Sequence, residues 1–325
     1  MKSSNNDLTD LTHAQITPVQ KIEHPLFSRH NVELFIKRED LVHPQISGNK
    51  WYKLRHNLLY AREQGFTRLV SFGGAFSNHL HALAFAGQYF GFETIGFVRG
   101  EVHEPLNPTL ADAVGWGMKL YPMSRSEYRR RSEAAFVQRL VEPLQRCFVI
   151  PEGGANEWAL AGCAEILTGI SQQLADYDYV CVPCGTGATL AGIVAALEAS
   201  GRAGKVMVLG FSALKGNKSL VGEVSTMLAD FSVAGINNWQ IIDEFHGGGF
   251  AKITPELVAF MQQWYEQTGI ALEPLYTGKM LLGLCELVAR GDFPAGSKLV
   301  AVHTGGMQGV RGMQAQIDKF TTIGS

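Results

Sequence analysis

Short apolar runs that end in glycine turns constrain the fold of this chain more than any other feature. Residues 68–72 run into a turn with two glycines, residues 179–182 into a second glycine turn, and residues 298–302 into a third. Helical patterns rich in alanine and leucine follow the first two turns. Because strands that alternate with helices form parallel sheets, the sequence predicts an α/β fold. We expect the three turns to meet at one cleft, since ligands bind at the carboxyl ends of parallel strands.

The periodicity is interrupted once, at residues 151–156, and a second series of strand and helix patterns follows. We therefore predict a larger α/β domain built from residues 1–47 and 152–325, with a smaller α/β domain, residues 52–151, inserted into it. A chain of 325 residues that is 46% hydrophobic and 18% charged can supply a core for each domain. The recurrence has no fixed period, so it does not indicate a solenoid.

Charge and composition argue against several classes of function. The formal net charge is −2 and no run of five like charges occurs, so nothing in the chain would attract nucleic acid. The arginines at 129–131 lie between two glutamates and are predicted to form a solvated helix face. Residues 1–10 are polar and lack an apolar signal core, and no run approaches the ~18 apolar residues of a membrane span. We expect a cytoplasmic protein with no nucleic-acid or membrane partner.

The five cysteines do not form the pattern of a disulfide framework or a metal site. Their number is odd and they are scattered through the chain, so free thiols are expected. Cys181 and Cys184 match C-x-x-C, but no second pair and no paired histidines at zinc spacing accompany them. Both lie at the end of an apolar run. Strand packing explains them better than redox or metal chemistry, and no metal ligands are predicted.

A lysine stands at the start of a predicted helix. Residues 47–50 read Ser-Gly-Asn-Lys, and the apolar residues that follow recur at helical spacing until a stop signal at Gly65. Lys50 therefore lies in the first turn, where the positive end of the helix dipole and partial burial would lower its pKa. A neutral lysine amine can form a Schiff base with an aldehyde. Most lysines are solvated surface charges, so Lys50 becomes a candidate only together with other signals.

The strongest anion-binding signal is the segment 185–190, which reads Gly-Thr-Gly-Ala-Thr-Leu. Its glycines allow backbone N–H groups to face a ligand, and the helix that follows adds its positive end. The hydroxyl groups of Thr186 and Thr189 can donate hydrogen bonds as well. We predict that Gly185, Thr186, Gly187, Ala188 and Thr189 bind one phosphate group; the alternative is a plain strand-to-helix turn.

Other classes of site fit poorly. A dinucleotide fold would need a glycine at position 190 and an acid after the next strand, where Leu190 and the segment Gly-Phe-Ser at 210–212 stand. A nicotinamide oxidoreductase is therefore disfavoured, and no G-x-x-x-x-G-K-[ST] loop supports nucleotide hydrolysis. A serine hydrolase would need G-x-S-x-G, and the nearest stretch, residues 74–78, misses both glycine positions.

A lysine at a helix start, a single-phosphate loop and Ser77-Asn78 at a neighbouring glycine turn together indicate pyridoxal 5'-phosphate, a phosphorylated aldehyde. At these positions the chain resembles the fold type II pyridoxal-phosphate enzymes, whose two parallel-sheet βα domains are tryptophan synthase β-like. It resembles in particular the branch with D-cysteine desulfhydrase and 1-aminocyclopropane-1-carboxylate (ACC) deaminase. The resemblance covers residues 35–309, and its motifs stand at 36–40, 48–50, 77–79, 150–154, 185–189, 272–279 and 303–306.

The resemblance implies a role for each matching residue. Lys50 matches the Schiff-base lysine, and Lys53, one turn further along the helix, is placed to meet the phosphate. Asn78 corresponds to the asparagine beside the phenolic oxygen of the cofactor, and Ser77 to a serine near the substrate carboxylate or the reacting carbon. Tyr276 matches an active-site tyrosine, although taken alone it would more often be a packed aromatic residue at a helix start.

Thr304 falls where similar enzymes place a group near the pyridine nitrogen. The reaction implied by the resemblance begins when Lys50 or Tyr276 removes the α-proton of the substrate. The resemblance also implies a homodimer.

Two positions separate the activities of the family. Members that act on ACC typically carry an acid directly after the tyrosine and an apolar residue in the His-x-Gly-Gly segment, where this chain has Thr277 and Thr304. Both threonines resemble the desulfhydrase pattern. Phe250 stands where the family usually has a second tyrosine, and His81 replaces an arginine that often follows Ser-Asn-His.

We therefore predict a lyase that acts on a small amino-acid substrate and converts D-cysteine to pyruvate, sulfide and ammonia. An ACC deaminase, which opens the cyclopropane ring to give 2-oxobutanoate and ammonia, is the alternative within the family. A protein that binds pyridoxal phosphate without turnover is the second alternative.

Overall fold

The computed structural model describes residues 16–216, 219–231, 233 and 235–323. It contains two sheets, which confirm the predicted α/β class with parallel strands. The first fifteen residues, for which the sequence predicts a polar lead without a signal core, lie outside the described residues. Among the described residues no helix is long and apolar enough to cross a membrane.

Six strands form the larger sheet. Across the sheet they run β1 (Val19–Ile22), β2 (Glu33–Lys37), β10 (Lys298–Val302), β7 (Tyr179–Cys184), β8 (Met207–Ser212) and β9 (Trp239–Ile242). All neighbours pair in parallel except β1, which pairs antiparallel with β2 at the sheet edge. Local pattern does not predict β1, because its residues include Gln20 and Lys21 and form no apolar run.

The smaller sheet has four parallel strands. Across the sheet they run β5 (Lys119–Met123), β4 (Glu93–Arg99), β3 (Arg68–Gly73) and β6 (Cys147–Val149). These strands are contiguous along the chain, whereas those of the larger sheet come from both sides of them. The domain boundaries at residues 47, 52 and 151 stay a prediction.

Helices cover both sheets. They are α1 (Pro25–Arg29), α2 (Asn49–Glu63), α3 (Asn78–Phe90), α4 (Pro108–Gly115), α5 (Arg125–Tyr128), α6 (Ala134–Val141), α7 (Glu157–Ser171), α8 (Ala188–Ala199), α9 (Ser219–Asp230), α10 (Pro255–Thr268), α11 (Thr277–Arg290) and α12 (Gln314–Ile323).

The arginines at 129–131, predicted to form a solvated helix face, instead lie between two helices. A capping box between Ser124 and Glu127 begins the single turn of α5, and Glu133 is the N-cap of α6. The arginine-rich residues between the two helices stay at the surface, where they gain little from helical packing.

A buried polar network supports the start of α2. The Lys37 ammonium donates to Thr17 Oγ1 over 2.6 Å and lies 3.4 Å from a carboxylate oxygen of Glu39. The Tyr52 hydroxyl donates to the other oxygen of Glu39 over 2.7 Å. Because these charged groups are paired and hydrogen-bonded, burial is tolerated. The network joins β2 to α2 directly below the turn that carries Lys50.

Candidate active site

One cleft of about 1400 Å³ opens at the carboxyl ends of the strands of both sheets. Ten of the eleven predicted site residues line it, although their individual roles stay predictions; the ten are Lys50, Lys53, Ser77, Asn78, Gly185, Thr186, Gly187, Thr189, Tyr276 and Thr304. The exception is Ala188, whose side chain is buried in the core at the start of α8. Ala188 can therefore offer a ligand only its backbone N–H group.

The turn before Lys50 fits tightly against the end of β10. Gly48 has a φ of +64°, and a Cβ atom there would lie 1.8 Å from the carbonyl oxygen of Thr304. The N–H of Asn49 donates to that same oxygen over 3.3 Å. Only glycine can occupy this position without moving the backbone. The turn therefore fixes the first residues of α2, including Lys50, at the carboxyl edge of the larger sheet.

The Lys50 amine is poised to be neutral near physiological pH. Burial, and secondly the nearby ammonium of Lys53, lower the pKa of Lys50 to about 7. The sequence analysis gave the helix dipole and partial burial as the causes, whereas in the structure burial comes first. Lys50 Nζ donates to Asn49 Oδ1 over 2.7 Å. A neutral amine that faces a cleft can attack an aldehyde.

The second lysine of α2 faces the same cleft. Lys53 Nζ donates to the carbonyl oxygen of Gly153 over 3.0 Å, and burial lowers the pKa of Lys53. His79 lies close to both lysines, and burial, followed by their charges, holds its pKa well below the usual value. The imidazole is therefore neutral and adds no positive charge. A bound anion would favour the charged form of Lys53.

The loop between β7 and α8 leaves donors without partners. Gly187 has a φ of +80°, and a Cβ atom there would lie 2.4 Å from Val224 Cγ2. Thr186 Oγ1 is buried and has no hydrogen-bond partner among the residues that the structure describes. The first N–H groups of α8 also lack partners within the helix. An unpaired hydroxyl group, the start of a helix and Lys53 together fit a phosphate group.

The turn that carries Lys50 (residues 47–50, the lysine turn) and the loop predicted to bind phosphate (residues 185–189, the phosphate loop) are in direct contact. Asn49 Nδ2 donates to Thr189 Oγ1 over 2.8 Å, although the two residues are 140 positions apart in the chain. Because Asn49 precedes Lys50, a molecule whose phosphate group binds to residues 185–189 would have the Lys50 amine across the Asn49–Thr189 hydrogen bond. The residues present fit a phosphorylated aldehyde, and pyridoxal phosphate is one.

Ser77 and Asn78 begin α3 on the opposite wall of the cleft. Ser77 Oγ accepts from the N–H of Leu80 over 3.2 Å, so Ser77 caps the helix, and it lines the cleft as well. Asn78 Oδ1 accepts from the side chain of Gln308. A Cβ atom at Gly306 would lie 2.7 Å from Asn78 Nδ2. The amide of Asn78 is therefore held by two contacts from the segment after β10.

A buried carboxylate holds the turn that carries Tyr276. The Glu273 side chain accepts from the N–H groups of Leu275 over 2.7 Å and Tyr276 over 2.9 Å, and from that of Thr277. Burial raises the pKa of Tyr276, so its phenol stays protonated at neutral pH. The Phe250 ring lies 5.9 Å from the Tyr276 ring and also lines the cleft. Thr277 Oγ1 lies 3.5 Å from Thr304 Oγ1.

Sequence reasoning missed several residues that support or line the cleft. Asn49, Glu273 and Gln308 orient predicted site residues, and Arg99 lies in the cleft wall. Arg99 is the last residue of its strand. Because ligands bind at the carboxyl ends of parallel strands, its position in the sequence could have identified it as a candidate. The two residues that depart from the family pattern lie in different places. Phe250 lines the cleft, whereas the His81 Nε2 atom lies 3.0 Å from a carboxylate oxygen of Asp112.

Within the part of the chain that the structure describes, no group of side chains is placed to hold a metal ion. All five cysteines have free thiols, as predicted, and Cys181 and Cys184 are buried in β7. Burial raises the pKa of the Cys184 thiol to about 12, so it carries little thiolate.

Three comparisons place these features among known proteins. The family described as "Pyridoxal-phosphate dependent enzyme" matches residues 11–305. The Arabidopsis thaliana protein named "Bifunctional D-cysteine desulfhydrase/1-aminocyclopropane-1-carboxylate deaminase, mitochondrial" is 30% identical over 304 residues, which cover 86% of this chain and 74% of the relative. A Ralstonia pickettii protein named "1-aminocyclopropane-1-carboxylate deaminase" is 27% identical and covers 90% of this chain and 92% of its own length.

Solved structures agree with the sequence relatives. The structure described as that of an ACC deaminase homologue has a TM-score of 0.82 at 25% identity, over 94% of each chain. The lysine and the single-phosphate loop that meet in the cleft are the features that such a cofactor needs. The chain therefore belongs to the fold type II family of pyridoxal-phosphate-dependent enzymes.

Proposed function

We propose that this enzyme is a lyase that eliminates thiolate from D-cysteine, or from a related D-amino acid with a leaving group at Cβ. The products from D-cysteine are pyruvate, sulfide and ammonia. The observation that carries this choice is the contact between Thr277 and Thr304, whose hydroxyl groups are 3.5 Å apart. These are the two positions at which ACC-cleaving relatives typically carry an acid and an apolar residue.

The proposal gives the side chains of the cleft separate tasks. Lys50 would hold the cofactor covalently, while Thr186, Thr189, the N–H groups of residues 185–189 and Lys53 would bind its phosphate. Asn78 would contact the phenolic oxygen, and Thr304 would serve the pyridine nitrogen. When bound, pyridoxal phosphate supplies an electron sink that stabilises negative charge at the substrate Cα. A neutral hydroxyl at Thr304 does not enforce protonation of that nitrogen.

Electrostatics support different proton tasks for Lys50 and Tyr276. The amine of Lys50, with a pKa lowered to about 7, would accept the α-proton of the substrate. The phenol of Tyr276, whose pKa burial raises, stays protonated at neutral pH and is therefore unavailable as the base. In this proposal its hydroxyl group hydrogen-bonds the sulfur as the Cβ–S bond breaks, and the proton passes to the thiolate as negative charge develops there. Ser77 and the N–H groups at the start of α3 orient the substrate carboxylate.

ACC deaminase remains the second candidate, because relatives at 27% and 30% identity carry that activity in their names. Ring opening of ACC has no α-proton to remove and requires more help at the pyridine nitrogen. An acid at position 277 would supply that help, whereas Thr277 is neutral and fully buried. The homodimer and the cytoplasmic location expected from the sequence stay predictions.

We expect cofactor uptake by cofactor-free protein to accelerate as the pH rises through about 7. Only the neutral amine attacks an aldehyde, and the pKa of Lys50 is lowered to about 7, whereas a solvated lysine titrates near ~10. The rate of the absorbance change after mixing with saturating pyridoxal phosphate gives the profile. Saturation removes the pH dependence of phosphate binding itself. A rate that keeps rising steeply above about pH 9 would show that Lys50 has an ordinary pKa.

Substrate choice is tested with D-cysteine, L-cysteine, D-serine and ACC, by measuring ammonia together with sulfide, pyruvate and 2-oxobutanoate. We expect kcat/KM for D-cysteine to exceed that for ACC by at least about tenfold, since each activity requires its own groups near the pyridine nitrogen. Faster turnover of ACC would contradict the assignment from Thr277 and Thr304. A yellow protein that releases no ammonia from any substrate would instead support the cofactor-binding alternative.

A further inference from the structure

An arginine without an acidic partner stands in the wall of the cleft. Arg99 is the last residue of β4 and lines the cleft. Its Nη2 atom would lie 3.6 Å from a Cβ atom on Gly74, in the turn that leads to Ser77. Because Gly74 has no side chain, nothing at that position covers the guanidinium on this side.

Two acidic residues of this wall already have partners. Arg131 forms an ion pair with Glu152, which also accepts a 2.6 Å hydrogen bond from the hydroxyl of Tyr128. Glu101 lies 3.3 Å from the imidazole of His103. Within the described ranges, no carboxylate lies within 4.0 Å of Arg99, and its guanidinium is 5.8 Å from the Tyr128 ring. Arg99 is therefore available to an anionic ligand.

Sheet order sets the direction in which a ligand would meet these groups. The Ser77 turn follows β3, Arg99 ends β4, and Arg125, which also lines the cleft, lies just after β5. These strands are neighbours in the order β3, β4, β5, and adjacent strands lie about 4.8 Å apart. A molecule that extends from the Ser77 turn along this edge meets Arg99 first and Arg125 next.

We propose that Arg99, assisted by Arg125, binds a second acidic group on the substrate. This inference rests on the proposed function, in which the turn at Ser77 holds the α-carboxylate. The substrates are then amino acids whose Cβ leaving group carries a carboxylate. A guanidinium binds a carboxylate through two parallel hydrogen bonds, which makes arginine selective for this group. D-Cysteine itself would lack this contact.

The test compares two substrates that differ only in that charge, S-carboxymethyl-D-cysteine and its neutral amide S-carbamoylmethyl-D-cysteine. In both, the Cβ–S bond breaks, the thiol leaves with a proton, and water supplies the carbonyl oxygen of pyruvate as ammonia is released. We expect kcat/KM for the acid to exceed that for the amide by at least about tenfold, the effect of one charged hydrogen-bonded pair.

The Arg99→Met variant should remove the preference by lowering kcat/KM for the acid alone, and Arg99→Lys should restore part of it. The matched control is Arg130→Met, which removes the same charge from an arginine that pairs with Glu133 outside the cleft. This control should keep the preference. An equal loss for acid, amide and D-cysteine in Arg99→Met would overturn the proposal, because Arg99 would then contact the α-carboxylate or support the fold.

A binding measurement tests the inference without turnover. Calorimetric titration of the holoenzyme with succinate and with its monoamide, succinamate, should give at least about tenfold tighter binding of succinate. Arg99→Met should abolish the difference. Equal affinity in the wild-type protein would overturn the inference. Failure to release ammonia from any amino acid, combined with a preference for succinate, would reject the proposed reaction while leaving the second anion site supported.

Discussion

Replacing Lys50 with alanine is expected to lower turnover by at least ~10⁴-fold and to abolish the covalent attachment of pyridoxal phosphate. The variant keeps no amine at the start of α2. Lys53 lies one turn further, where its ammonium donates to the carbonyl of Gly153, so it is not expected to replace Lys50. The measurements are ammonia release and borohydride reduction followed by peptide mapping, which should label a peptide containing Lys50 in the wild-type protein.

The matched control for this prediction is Lys119→Ala. Lys119 lies on the edge strand β5, is 66% exposed, and has a long ion pair of 3.9 Å with Glu93. Its removal should leave both labelling and turnover close to wild type, because surface ion pairs contribute little stability. Labelling of the Lys50→Ala protein at a defined lysine would contradict the assignment. Lys50 Nζ donates to the neighbouring Asn49 side chain and to no other group among the described residues, so the variant should keep its fold.

Tyr276→Phe is expected to slow turnover by a factor on the order of a hundred or more, with a smaller effect on KM. The phenol is buried, its pKa is raised, and it faces the cleft beside Gly185. Removing the hydroxyl group deletes the proposed proton donor without changing the ring that packs against Phe250. Steady-state kinetics with D-cysteine measure the effect, and cofactor absorbance should be unchanged.

Tyr265→Phe provides the comparison at the surface, because the Tyr265 side chain is 57% exposed on α10. It removes the same hydroxyl group far from the cleft, and its kinetics should match the wild type. If Tyr276→Phe retained the wild-type kcat, Tyr276 would have no part in proton transfer and Lys50 would have to serve as both base and acid.

The α/β class and the positions of the main turns were predictable because they depend on local patterns. The apolar runs that became β3, β7 and β10 each end in glycines, and the helix starts at Asn49, Ala188 and Pro255 follow recognisable turn or cap residues. Thr254, for example, caps α10 through a hydrogen bond to the N–H of Leu257, as its sequence context indicates. Turn and cap residues act on the backbone next to them, so their effect does not depend on the rest of the fold.

Segments with weak local signals were not predictable. The edge strand β1 is half polar, and its place is fixed by pairing with β2 rather than by its own pattern. The charged segment between Arg125 and Val141 has helical composition throughout, yet it breaks where Arg131 packs on the Tyr128 ring and pairs with Glu152. In both cases the outcome depends on contacts made by other parts of the chain.

The sequence by itself determined the type of cofactor site, since the lysine turn and the phosphate loop are each readable from a few adjacent residues. Only the tertiary structure decided how they act together. It joined Asn49 to Thr189 across 140 positions, brought Thr277 against Thr304, and left Arg99 in the cleft without an acidic partner from the described part of the chain. It also decided the pKa of Lys50, because desolvation and the charge of Lys53 depend on every segment that closes around the amine.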